Sequence, residues 1–236
     1  MEKGFRLQDK REGYKSMLDL TKGYDPTKPL IYEFPLDCFE DDVLAFPRTD
    51  NITDSRIFYS GDPLEKQDYQ LIFRINKREE KLLESDIVPA YYNLLIVNNR
   101  VLNILNKVCP TDFQTFPVTI KSRIGKRKSK AFINHDYSLV HIIKKVDSID
   151  YVESEFLMMD NSKPKEPGNV LGPIRLRFKS NCMKETHIAK DSTFKSIIFI
   201  SAHLFHILYK SDIKGVEFMP DYLCFYERNN YPELFR

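Results

Sequence analysis

Carboxylates, imidazoles and clustered ammonium groups are the residues with which this sequence could do chemistry. Two acidic runs stand out: Glu40, Asp41 and Asp42 in "CFEDDVL", and Asp147, Asp150, Glu153 and Glu155 in "DSIDYVESE". Paired carboxylates can hold a divalent ion or divide acid and base roles, as metal-dependent nucleases and glycosidases require. The same residue types between two strands accept from local backbone amides and build turns, and an anionic surface can also face a basic partner. His203 and His206 stand three apart in "SAHLFHIL" and share a helix face, but no Asp, Glu or Cys follows one turn further on to complete a metal site. His135 and His141, with Asp136 and Ser138 between them, fall on one face of a regular strand, where a proton-transfer site is conceivable. Lys121, Arg123, Lys126, Arg127, Lys128 and Lys130 surround Gly125 in the densest basic run. It is a candidate for phosphate binding, yet it lacks interleaved aromatics for base stacking and reads as a solvated hairpin tip.

The missing motifs narrow the classes further. Eight glycines are scattered singly, with neither GxxxxGKS/T nor GxGxxG, and there is no GxSxG elbow, HExxH helix or HxE with PCxxC. The sequence therefore offers no recognisable catalytic set, metal site or cofactor site. Cys38, Cys109, Cys182 and Cys224 are widely spread with no CxxC pair, and read as reduced, buried small hydrophobes. From the residues alone, the enzyme reading is a metal-dependent nuclease or hydrolase using Asp147, Asp150 and Glu153. A nucleic-acid-binding module would use the Lys121 to Lys130 loop instead.

These residues need elements to hold them. Residues 1–30 are polar and interrupted by Gly and Pro, which predicts an irregular arm with at most one short helix around Tyr14 to Leu20. "LIYEFPLDCF" predicts a strand interrupted by Pro35, and "RIFYSGDPLE" a strand stopped by a Gly-Asp-Pro turn. Tyr69 to Ile75 predict a strand, and the helix formers of residues 77–84 a helix. Beyond Pro89 come a strand (Leu94 to Val97), an Asn98 N-cap, a helix (Asn99 to Lys107) and a strand leading to Pro117.

Near the C-terminus the same design recurs at a constant offset of 103 residues. Val97 matches Ile200, Asn98 Ser201, Val101 Leu204, Ile104 Ile207, Leu105 Leu208, Lys107 Lys210 and Pro117 Pro220. The correspondence predicts a duplicated strand-helix-strand unit. Between the copies the chain reads mainly as sheet: Ser138 to Val146, a turn at Asp147 to Asp150, Phe156 to Met159, and "PIRLRF". In the last of these, Ile174, Leu176 and Phe178 alternate with Arg175 and Arg177 to give one charged face. The predicted class is α+β, mainly antiparallel sheet with short helices. Either an N-terminal arm and subsidiary region over residues 1–85 precede a main domain over residues 86–236, or the two form one continuous domain.

Of 236 residues, 42% are hydrophobic and 30% charged, enough for a substantial core under a well-solvated surface. Thirty-six basic against 34 acidic side chains leave a formal charge of +2, so no whole-molecule field draws the chain to nucleic acid or anionic lipid. "MEKGFRLQDKREGYKSM" lacks the apolar stretch of a signal peptide, and no run is long and apolar enough to span a membrane. Cytoplasmic residence is expected, with no membrane partner and no general affinity for nucleic acid.

The order of landmarks from Tyr59 onward resembles a family of bacterial immunity proteins, the α+β type named for a myxobacterial member. Its elements are the Ser60-Gly61-Asp62-Pro63 turn, "VNNRVLNILNKVCPTDFQTFPVTI", "YSLVHIIKKVDSIDYVESE" and the closing "FISAHLFHILYKSDIKGVEF". The first 58 residues take no part in the resemblance, and "YSLVHIIKKV" departs from the aliphatic and Asn run of relatives. What the resemblance implies is a non-enzymatic protein, encoded beside a toxin or secreted effector, that protects its own cell by binding that toxin stoichiometrically. On this reading Asp147, Asp150, Glu153, Glu155, Arg175 and Arg177 are the candidate partner-binding residues.

Overall fold

The computed structural model describes residues 25–33, 57–65, 69, 71–75, 83–88, 90, 94–122, 133–160, 165–195 and 197–219. Alternating apolar residues explain how its layers form. In strand β4 (Leu95–Asn98), Leu95 and Val97 point to one side and Ile96 to the other, and all three are buried. Strand β11 (Ile198–Ile200) behaves alike, with Ile198 and Ile200 on one side and Phe199 on the other. A strand buried on both faces needs cover on both, and three apolar clusters supply it.

One five-stranded sheet has the order β12-β1-β11-β10-β7, built from β1 (Leu30–Glu33), β7 (Lys145–Val146), β10 (Ile188–Asp191), β11 and β12 (Glu217–Met219). The other has the order β2-β5-β6-β4-β3, from β2 (Leu71–Ile75), β3 (Ile87–Val88), β4, β5 (Phe113–Ser122) and β6 (Ile133–Ile142). A ribbon of β8 (Glu155–Met158) and β9 (Val170–Arg175) forms a third, two-stranded sheet. Pairings are antiparallel except β2 with β5 and β7 with β10. The fold is thus mixed α+β and mostly antiparallel, as the sequence predicts.

The central core draws Leu95, Val97, Val140 and Ile142 from one sheet and Leu30, Ile188, Ile198 and Ile200 from the other. Between them lie Val101 and Leu105 of helix α2 (Asn99–Val108) and Leu204, Phe205 and Leu208 of helix α3 (Ala202–Lys210). Each such side chain contributes about 1.5–3 kcal/mol on full burial. Both helices begin where the sequence places them: Asn98 accepts from Val101 N at 3.1 Å, and Ser201 from Leu204 N at 3.2 Å. In each unit the strands before and after the helix are antiparallel to one intervening strand, β6 in the first and β1 in the second.

The outer face of the first sheet (Ile31, Ala189, Phe199) is covered by Phe156, Val170, Leu176, Phe178 and Met183, from the ribbon and the segment after it. The outer face of the second sheet (Ile96, Val118, Ile120, Leu139) is covered by Phe58, Leu64 and Tyr69.

Two local expectations are corrected. Ile57–Ser60 is a short helix, α1, and not a strand: Ser60 Oγ turns back to the Ile57 carbonyl at 3.1 Å and closes the turn. Strand β5 runs through Pro117 to Ser122 instead of ending there. β2 pairs with it only from Val118 onward, so Pro117 sits where β5 has one open edge, the position in a sheet that tolerates a missing N–H. The predicted arm over 1–24, the breaker Pro35 and most of the 77–84 helix lie outside the described residues.

Candidate functional site

The structure brings the six sequence-selected residues together. Residues 147–155 run antiparallel beside residues 175–179. Lys179 N donates to Ser148 O at 2.8 Å, Ile149 bridges Phe178, and Asp150 N donates to Arg177 O at 2.9 Å. Glu155 faces Arg175 in the β8–β9 register and pairs with it at 3.3 Å. Asp147 pairs with Lys179 at 2.5 Å, which raises the lysine pKa above its ordinary value. Asp150 Oδ1 accepts from the amides of Val152 (3.0 Å) and Glu153 (3.1 Å), a turn-building role. Arg177 lends its backbone N–H to the buried Ser154 hydroxyl at 2.9 Å, while Glu153 is exposed. Of the three carboxylates of the enzyme reading, Asp147 is therefore taken by an ammonium group and Asp150 by turn amides, which among the described residues leaves Glu153 alone. Among the described residues no group of three or more His, Cys, Asp or Glu side chains is placed to hold a metal ion.

The histidines part company. β6 carries one extra residue opposite Val118 to Ile120, a bulge that breaks its alternation. His135 stays exposed beside Thr119, whereas His141 is 2% exposed, so the expectation of a shared face fails. His203 and His206 are both exposed. Arg123, Lys126, Arg127, Lys128 and Lys130 lie outside the described residues, as do Glu40, Asp41, Asp42, Cys38 and Cys224. Cys109 and Cys182 are free thiols whose pKa burial pushes up to about 12 and about 11, so neither is a ready nucleophile at neutral pH.

A buried polar clamp holds the Ser60-Gly61-Asp62-Pro63 turn. Lys190, 4% exposed, donates to Phe58 O (3.1 Å) and Tyr59 O (3.0 Å) at the C-terminal end of α1, where carbonyls point outward without helical partners. Burial, then the charges of Lys145 and Lys195, pull its pKa down to about 8. His141 Nε2 lies 2.7 Å from Asp62 O and Nδ1 lies 3.2 Å from Phe58 O. A neutral ring can donate to only one of these, and burial depresses the pKa despite both contacts. Lys145 pairs with Asp62 and holds that carboxyl below its ordinary range. Gln114 brackets Leu64, accepting from its N–H (2.8 Å) and donating to its C=O (2.9 Å). Gly61 has φ +69°, and a Cβ there would meet Ile142 O at 3.2 Å.

Buried aspartates splice the remaining joints. Asp191 accepts from Ser148 Oγ (2.7 Å), Thr193 N (2.8 Å) and Phe194 N (2.8 Å). Asp112 accepts from His187 N at 2.8 Å. Asp86 accepts from Asn98 Nδ2 (2.8 Å) and Lys214 N (2.9 Å) and pairs with Arg100, which also donates to Ser211 O. Sequence reasoning passed over Lys190 and Asp191. Their signal was a charged pair set directly between "HIA" and "STFKSIIFI", where an apolar strand pattern continues on either side.

The described residues thus form a mixed α+β protein in which the buried Lys190, Asp191, Asp112 and Asp86 each bind the chain's own backbone, with charged residues of the ribbon left outward. Residues 38–221 match the Immunity protein family (Imm11), and the chain belongs to that family. The match begins earlier than the resemblance read from Tyr59 onward and takes in part of the N-terminal region. Membership implies a toxin–immunity system with a cognate toxin as partner, and proteins of this kind are typically non-catalytic inhibitors. No curated protein sequence matches the chain. Among the described residues no helix is long and apolar enough to cross a membrane.

Proposed function

We propose that this protein neutralises a bacterial toxin or secreted effector encoded by an adjacent gene, by binding it stoichiometrically in the cytoplasm of the cell that makes both. The face carrying Asp147, Asp150, Glu153, Glu155, Arg175 and Arg177 forms part of the contact surface. The observation that carries this reading is the pairing, side by side, of the two segments that bear those residues, 147–155 and 175–179, in an immunity-family chain. Backbones fixed before binding lose less entropy on association, and mixed charges around apolar contacts give orientation and specificity.

The scaffold is read as one continuous domain containing a duplicated strand-helix-strand unit. Support for the first comes from β1, which lies inside the sheet of β11 and β12. For the second it comes from the equivalent N-caps and the single intervening antiparallel strand of each unit. The test is co-expression of the chain with the neighbouring gene's product, followed by size-exclusion chromatography with mass determination. A 1:1 complex and loss of toxicity are expected; two folded proteins that elute separately overturn the reading.

A further inference from the structure

The turn between Asp150 and Ser154 is built more firmly than an exposed connection needs. Its ends are tied to residue 177, through Asp150 N to Arg177 O (2.9 Å) and Arg177 N to Ser154 Oγ (2.9 Å). Across it, Ser154 N donates to Asp150 O at 2.9 Å, while Asp150 Oδ1 takes the next two available amides. Beneath it, Tyr151 stacks on Phe156 at 5.1 Å and Phe156 on Phe194 at 6.2 Å. On this fixed tip Val152 is 83% exposed. A β-branched aliphatic side chain aids neither turn formation, which favours Gly, Asn, Asp, Ser or Pro, nor the core.

Glu153 stands beside Val152. The neighbouring carboxylates are engaged: Asp147 by Lys179, Glu155 by Arg175, Asp150 by amides. The exposed Glu153 carboxylate makes no ion pair among the described residues. Along the same ribbon, Met159 (63% exposed) and Leu171 (59% exposed) add apolar surface, with Met159 N held by Asn169 O at 3.0 Å.

We propose that the Val152–Glu153 tip is the preorganised anchor of the complex, seating in an apolar socket of the toxin flanked by an Arg or Lys. The inference rests on the immunity reading and deepens it. An apolar knob beside an anion with no ion pair among the described residues is complementary to a socket of that chemistry. The rigid turn means that ordering costs little on docking, as interface anchors require.

The experiment measures the Kd of the wild-type chain and of Val152→Asp, Glu153→Arg and the remote Asn103→Asp for the neighbouring gene's product by calorimetry, with thermal melts to check that each variant is folded. Because both tip side chains are exposed, melting temperatures should stay close to the wild type. The first two variants should each bind at least tenfold more weakly and the third within twofold. If the wild type binds and both tip variants bind within twofold of it, the anchor is overturned while the immunity reading stands. If the wild type itself does not bind, the reading beneath the proposal fails and the proposal with it.

Discussion

Lys190 offers the sharpest test of the clamp around the Ser60-Gly61-Asp62-Pro63 turn. Its pKa falls from 10.5 to about 8 on folding, so the folded state resists the proton that the unfolded chain binds readily. Below pH 8 both states carry it, and the native state bears the full cost of the buried charge, about 3 kcal/mol at 1.36 kcal/mol per pKa unit. Between pH 8 and 10.5 the folded form sheds the proton first. The unfolded state then binds more protons, and stability contributed by this residue rises with pH.

Lys190→Met keeps the aliphatic stem and abolishes that rise. At neutral pH the variant escapes the buried charge but strands the carbonyls of Phe58 and Tyr59, at about 1–3 kcal/mol each, so the two effects largely offset. Urea unfolding of both proteins across the window gives the difference curve. Groups common to both cancel in it, including Cys109, whose raised pKa acts in the opposite direction. The wild type should gain about 3 kcal/mol on the variant from one end of the window to the other. Parallel curves would refute the assignment of a buried, pKa-depressed ammonium at this position.

Two further perturbations test the joints. Gly215 has φ +89°, and a Cβ there would collide with the Ile87 carbonyl oxygen; since backbone must move, Gly215→Ala should cost about 2–3 kcal/mol in chemical denaturation. Asn98→Ala removes both the α2 cap and a donor to Asp86, and a loss of about 1–2 kcal/mol is expected, with helix-start amide exchange rising at Val101 before the core responds.

Much of this architecture is written in local pattern. The capped helices after Leu94 and Ile197 follow from a polar cap residue followed by apolar positions three and four apart, and both helices begin where that pattern places them. The alternation of Ile174, Leu176 and Phe178 with two arginines finds the buried Leu176 and Phe178 but misplaces the strand, which runs over Val170–Arg175 and leaves Phe178 as an isolated bridge to Ile149. What the sequence hides is long-range. The β-branched and aromatic residues of "IFYS" favour a strand, but the carbonyls of Phe58 and Tyr59 are claimed by a lysine more than a hundred residues away, and the segment curls into a helical turn. Pro117 reads as a stop because its neighbour on the open side enters only one residue later. Asp147, Asp150, Glu153, Glu155, Arg175 and Arg177 were legible as two charged runs; that the two runs lie side by side depends on pairing between residues 147–155 and 175–179, which no local signal encodes.

The place of β1 between β11 and β12 sets a schedule for folding. A ribosome delivers Leu30 and Ile31 early, yet the strands that flank them are among the last described elements to emerge. At about 5–20 residues per second, the wait is on the order of 10 s or more, and closing so distant a pairing then adds a slow folding step. Until those strands emerge β1 has neither of its neighbours, so this five-stranded sheet cannot close before the last described part of the chain is made.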